Sequence, residues 1–115
     1  MPPTVADRVR HILQAIADVE FLLRGKSRDD YAADRFLQFA TERALEIVCE
    51  ASRHLPADVK ARAPDIPWPK LVGFGNRLRR AYHRIDTAIV WTVVEADLPP
   101  LKAFVVQVMR DESAG

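Results

Sequence analysis

Apolar residues recur at Val5, Val9, Ile12, Leu13, Ile16, Val19 and Leu23, spaced mainly by three and four, so they gather on one face of an α-helix. No segment shows the every-second-residue alternation of a half-buried strand. The ends of this first helix are also marked. Thr4 with Asp7 three positions on makes a capping-box-like start, and Gly25 stands where a helix closes on a glycine. Ser27 with Asp30 opens the next helix after a connection short enough to place it antiparallel beside the first. The chain is therefore predicted to begin as a helical hairpin.

A second helical stretch runs from about Asp29 to Leu55 with Tyr31, Phe36, Leu37, Ala40, Ala44, Leu45, Val48, Ala51 and Leu55 near one stripe, and a break within it is allowed. Four prolines from Pro56 to Pro69 follow, leaving room for one turn of helix at 57–62 and then the rigid corner PDIPWPKL, which anchors Trp68. Gly73 and Gly75 bracket Phe74 ahead of a segment read as helical through Tyr82, since Asn76, Leu78, Arg79 and Ala81 include neither glycine nor proline. Another helix is expected from about Asp86 through Ile89, Val90, Val93 and Val94. Asp97 is then expected to cap a last helix, LPPLKAFVVQVM, whose prolines sit in the first turn. The expectation is an all-α, up-and-down bundle of four to five principal helices, forming one domain over 1–115.

Composition narrows the function. With 49% hydrophobic residues a core is feasible, and a net charge of only +1 argues against a chain that coats nucleic acid or membrane with its whole surface. The single cysteine, Cys49, excludes an internal disulfide and a cysteine-rich zinc site, and reads as a small core residue. The longest apolar run, Ala88 to Val94, falls far short of the roughly 20 residues a membrane span needs, and the amino end lacks an apolar signal core. A soluble protein of the cytoplasm, with no membrane partner, is expected.

One stretch stands out against this neutral background. GNRLRRAYHRID, residues 75–86, holds Arg77, Arg79, Arg80 and Arg84 around Tyr82 and His83, with Asp86 as its one acid. Charge runs on helices usually mark solvated faces, but without local acids these guanidiniums suit a phosphate-bearing ligand. Tyr82 reads equally as core packing or as part of a cleft. His83 is either a surface histidine or a cleft residue on a tilted helix, whereas His11 and His54 read as surface residues. Asp29, Asp30 and Asp34 lack a matching ligand set, and the first two suit the positive end of the helix that Ser27 opens, so no metal or other cofactor is expected. Trp68 and Trp91 read as bundle anchors.

The order of these pieces resembles the HepT-like family of the HEPN superfamily. DRVRHILQAIADVEFLLRGKS is similar to the family's first helix and turn. ERALEIVCEASRHLPADVKARAPDIPWPKLVGFGNRLRRAY is similar to its central helix and active-site entry, and IVWTVVEADLPPLKAFV to its final pair. The resemblance implies a homodimer that cuts RNA without a metal in a shared cleft. It also implies an MntA-like nucleotidyltransferase antitoxin that transfers AMP onto the motif tyrosine. The family motif reads arginine, asparagine, a short variable run with leucine, histidine, one residue, tyrosine. Laid on this chain it gives Asn76, Leu78 and Tyr82, with Gly75 at the arginine position and Arg80 at the histidine position.

The site residues the resemblance implies are Asn76, Arg79, Arg80 and Tyr82, with Tyr82 the AMP acceptor and Arg77 and His83 as auxiliaries. Both departures bear on chemistry. Cleavage needs a base for the 2′-hydroxyl, an acid for the leaving oxygen and donors for the phosphate charge. Arginine serves the third need and, with a pKa above about 12, not the first two. Arg79 or Arg77 can supply the charge missing at Gly75. The alternative is a module that binds RNA, a nucleotide or its nucleotidyltransferase partner and has lost cleavage.

Overall fold

Both anticipated capping boxes form, and they fix where the chain turns. Thr4 Oγ1 accepts from the Asp7 amide while Asp7 accepts from the Thr4 amide, opening α1 (Val5–Leu23), and Ser27 and Asp30 repeat the exchange at α2 (Arg28–Ala33). Between them Gly25 takes a φ of 73°, a left-handed conformation that favours glycine. The computed structural model describes residues 3–83 and 85–114; Arg84 lies outside them. The remaining elements are α3 (Arg35–Arg53), α4 (Ala57–Lys60), α5 (Trp68–Arg80), α6 (Thr87–Thr92), a π-helical turn (Val93–Asp97) and α7 (Leu98–Ala114). The fold is all-α, as expected. Among the described residues no helix is long and apolar enough to cross a membrane.

The break allowed in the second helical stretch falls at Asp34. Its backbone is extended, its carboxylate accepts from the Leu37 amide at 3.0 Å to start α3, and buried Gln38 donates to the Tyr31 and Ala32 carbonyls at 2.9 and 3.1 Å. The end of one helix and the start of the next are thus both satisfied by side chains. Helices α1 and α3 run antiparallel, so that Phe21 lies near Ala40 and Arg8 near Arg53. Ile12, Ile16 and Val19 of α1, Leu45 and Val48 of α3, Leu71 and Phe74 of α5 and Leu101, Val105 and Val108 of α7 form the core. The tryptophans are anchors: the Trp68 indole donates to the Lys60 and Ala63 carbonyls and meets the Phe104 ring edge-on, and Trp91 leans on Tyr31.

Two expectations are corrected. The helix through the arginine stretch ends at Arg80, with Ala81 extended and Tyr82 and His83 in a bend outside it. No glycine or proline stops it. The chain instead leaves the helix so that Ile85, only 9% exposed, can enter the core, with Asp86 following at once as the cap of α6. Likewise Asp97 does not begin a new helix. The chain stays helical from Thr87 to Ala114, passing through the π turn, where the Leu98 amide reaches back to the Val93 carbonyl. Pro99 and Pro100 explain the widening, because neither has an amide to give and each ring crowds the carbonyl four residues back. Asp97 turns inward and pairs with Lys70 Nζ at 2.8 Å, tying this turn to the start of α5.

Helix α5 meets α3 at Gly75, where an added Cβ would lie 2.7 Å from the Cβ of Cys49, a separation real carbons do not tolerate. Gly73, two residues earlier, is exposed with open space around it. The two glycines should respond oppositely to the same change. Gly75→Ala is expected to lose ~1–3 kcal/mol through overpacking, and Gly73→Ala to gain ~0.5–1 kcal/mol through helix propensity. Thermal unfolding of both variants checks this, and equal melting temperatures would show that the close approach does not constrain α5.

Candidate functional site

The contact at Gly75 places the next residues of α5 above the next residue of α3. Arg79 Nη1 donates to Glu50 Oε2 at 3.0 Å, and Arg79 Nη2 also donates to Asn76 Oδ1. The other Glu50 oxygen accepts from Arg53 Nη2 at 2.9 Å and from His54 Nε2 at 3.0 Å. Glu50 therefore gathers two guanidiniums and an imidazole. The Arg53 hydrogen bond, then that of His54, then the charges of Arg53 and Arg79 hold its carboxyl down at about 2, against some desolvation. It lines a recess of about 450 Å³ that also takes in Arg8, His11, Arg43, Glu46 and Arg79, and here four guanidiniums, counting Arg53, face two carboxylates. The recess favours an anion.

The remaining motif residues lie elsewhere. Arg77 and Arg80 are exposed and have no acidic partner among the described residues. Three arginines in the last turn of α5 complement the negative end of its dipole. Tyr82 is 100% exposed, which excludes the core-packing reading. With His83 and Ala81 it borders a second recess formed by Arg35, Phe39 and Glu42, in which the Arg35 guanidinium lies 5.3 Å from the centre of the Phe39 ring. The structure thus brings Asn76 and Arg79 together on one side and Tyr82 and His83 on the other, with Arg77 and Arg80 free at the helix end. The i,i+4 relation of His83 to Arg79 falls away, because residue 83 is not in the helix.

Of the acids weighed as cation ligands, Asp30 and Asp34 serve as caps. Glu50, Arg53, His54, Arg8 and His11 were not singled out by motif. Glu50, Arg53 and His54 carry the i,i+3 and i,i+4 spacing of a same-face cluster, but nothing local says that this face meets Arg79, 29 residues away.

Comparison with known proteins decides the family. The Ribonuclease HepT-like family matches residues 12–108. The chain belongs to that family. It is 38% identical over 96 residues to the "Probable ribonuclease HepT" of Thermococcus cleftensis, covering 84% of this chain and 87% of the relative. A "Putative RNase" of Methanocaldococcus jannaschii is 33% identical over 91 residues, covering 79% of this chain and 84% of the relative. In the same organism, a "Gamma-glutamylcyclotransferase and putative RNase" is 33% identical over 103 residues, which are 90% of this chain and 46% of that relative. No solved structure matches. Family membership supports a ribonuclease of the HEPN type.

The Glu50 cluster can be tested apart from activity. A carboxyl whose pKa is lower folded than unfolded stabilises the fold above its unfolded value near 4.5, and the stabilisation is lost as pH falls through the folded value of about 2. With the side chain 40% exposed, screening reduces the effect to a fraction of a kcal/mol. The stability difference between the native chain and Glu50→Gln should shrink across this window and shrink further with added salt. Denaturant melts at stepped pH check it, and a difference independent of pH would remove Glu50 as the electrostatic centre.

Proposed function

We propose that this HepT-like chain is the toxin of a toxin–antitoxin pair, a homodimer that cuts RNA without a metal, with Asn76, Arg79, Arg80 and Tyr82 at the cut. Arg77 and His83 are its auxiliaries. Its antitoxin is an MntA-like nucleotidyltransferase that silences it by modifying Tyr82. The observation that carries this reading is the pair of guanidiniums, Arg77 and Arg80, without an acidic partner among the described residues at one end of α5, beside a fully exposed phenol. Unpaired arginines at a helix end bind phosphate bidentately and release counterions from a nucleic acid. The exposed hydroxyl of Tyr82 is open to attack on the α-phosphorus of ATP: the Tyr82 O–P bond forms, pyrophosphate leaves, and the phenolic proton passes to the transferase or to water.

A second reading has its own observation. Gly75 is closed off by Cys49, so the family's arginine cannot be accommodated there without moving α5, and Arg80 cannot shuttle a proton. A binding module that keeps RNA or its transferase partner and has lost cleavage fits those two departures.

Single-stranded RNA incubated with the purified chain, with and without chelator, separates the readings. Chelator-resistant cleavage by the native chain, greatly reduced in Arg79→Ala, is the expected result. Cleavage only by Arg80→His would establish the binding module instead. With the transferase and ATP, the chain should gain AMP mass at Tyr82 and none in Tyr82→Phe, and sedimentation at micromolar concentration should show a dimer.

A further inference from the structure

Arg80 leaves the proposed cleavage without a proton-transfer group at the motif position, and the structure offers another. We infer that His54, oriented by Glu50, accepts the 2′-hydroxyl proton, and that His11 on α1 protonates the leaving oxygen; this rests on the ribonuclease reading.

The link runs through the motif helix. Arg79 and Asn76 of α5 are joined to each other and Arg79 to Glu50, and the other oxygen of Glu50 holds His54 Nε2 at 3.0 Å. Nε2 lies 3.0 Å from that carboxylate oxygen and 3.3 Å from Arg53 Nη2; the carboxylate only accepts, so when Nε2 donates to it Nδ1 keeps its lone pair. This is the arrangement of a base oriented by a third group. The charged groups around the ring are Glu50 and Arg53 of α3, the latter at 3.3 Å, with Arg79 of α5 behind the carboxylate and Arg8 and His11 contributed by α1 to the adjoining recess. The His54 side chain is 39% exposed, so a ribose can reach it. His83, by contrast, borders the other recess beside Phe39 and Glu42.

The chemistry balances. His54 Nδ1 takes the proton as the 2′-oxygen forms its bond to phosphorus. The bond from phosphorus to the 5′-oxygen breaks, and the His11 imidazolium gives its proton to that oxygen. The products are a 2′,3′-cyclic phosphate and a 5′-hydroxyl, while Arg79 and Arg53 hold the charge that builds on the phosphoryl oxygens.

The test uses the full chain, a fluorescent single-stranded RNA and chelator throughout. His54→Gln and His11→Gln should each slow cleavage by roughly 10²- to 10⁴-fold while RNA affinity, read by anisotropy, and the melting temperature stay as in the native chain. The native rate should be bell-shaped in pH, each variant losing one limb. Glu50→Gln, a positioning change, should retain part of the rate and move the limb that His54→Gln removes. Native-rate cleavage by His54→Gln, or products ending in a 3′-hydroxyl, would overturn the inference and leave the ribonuclease reading standing. A native chain that binds RNA without cutting it would bring down both.

Discussion

The bare backbone of Gly75 against Cys49 sets how α5 lies on α3, and with it the place of the candidate site. Helix α5 can lie this close to α3 only because position 75 has no side chain, and the neighbouring residues inherit their places from that contact. Glu50 follows Cys49 on α3, and Asn76 and Arg79 follow Gly75 on α5, so the same approach that closes the core brings a carboxylate under a guanidinium at its rim. Cys49 itself has only a packing role. Burial, with lesser contributions from the charges of Asp97, Glu46 and Glu50, pushes its thiol up to about 12, far from the thiolate that reactivity requires.

That geometry sorts the arginines into two kinds. Arg79 is tied to Glu50 and shares it with Arg53 and His54, whereas Arg77 and Arg80 reach solvent without an acid among the described residues. A tied guanidinium is positioned but partly neutralised, and a free one is fully charged but mobile, so this end of the helix offers one fixed donor and two adaptable ones. This division is how a chain of net charge +1 keeps a strongly basic end. The charge is local because its counter-charges are placed elsewhere: Lys70 on Asp97, Lys102 on Glu20, Arg62 on Asp111.

The helices and their starts were legible because capping and periodicity are local. Thr4 with Asp7, and Ser27 with Asp30, specify their exchanges within four residues, and Val9, Ile12, Ile16 and Val19 mark a buried face wherever the partner lies. The end of α5 was not legible, since nothing between Ala81 and His83 forbids a helix and the cause is Ile85, which needs the core that the rest of the chain builds. The π turn was hidden for a related reason. Asp97 before Leu98-Pro99-Pro100 reads as a cap, and only a bundle that buries Val93, Asp97 and Leu98 together makes widening one turn preferable to stopping the helix. For the site, the family resemblance pointed to Asn76 and Tyr82 but not to Glu50, whose importance comes from a contact 29 residues away.

The packing at Gly75 decides where α5 can carry a cation. An arginine at 75 would have to force α5 off α3, so the glycine there keeps the core tight and leaves that position without a cation. Residue 79 is four positions on, hence on the same face of the helix, and its long side chain reaches back past Asn76 to Glu50. Once a guanidinium sits there, a second at 80 keeps positive charge at the helix end, where the dipole favours it and where a histidine would be only partly charged near neutral pH. Arg80 is thus a fixed positive charge that cannot shuttle a proton. The carboxylate that fixes Arg79 is the same one that holds His54.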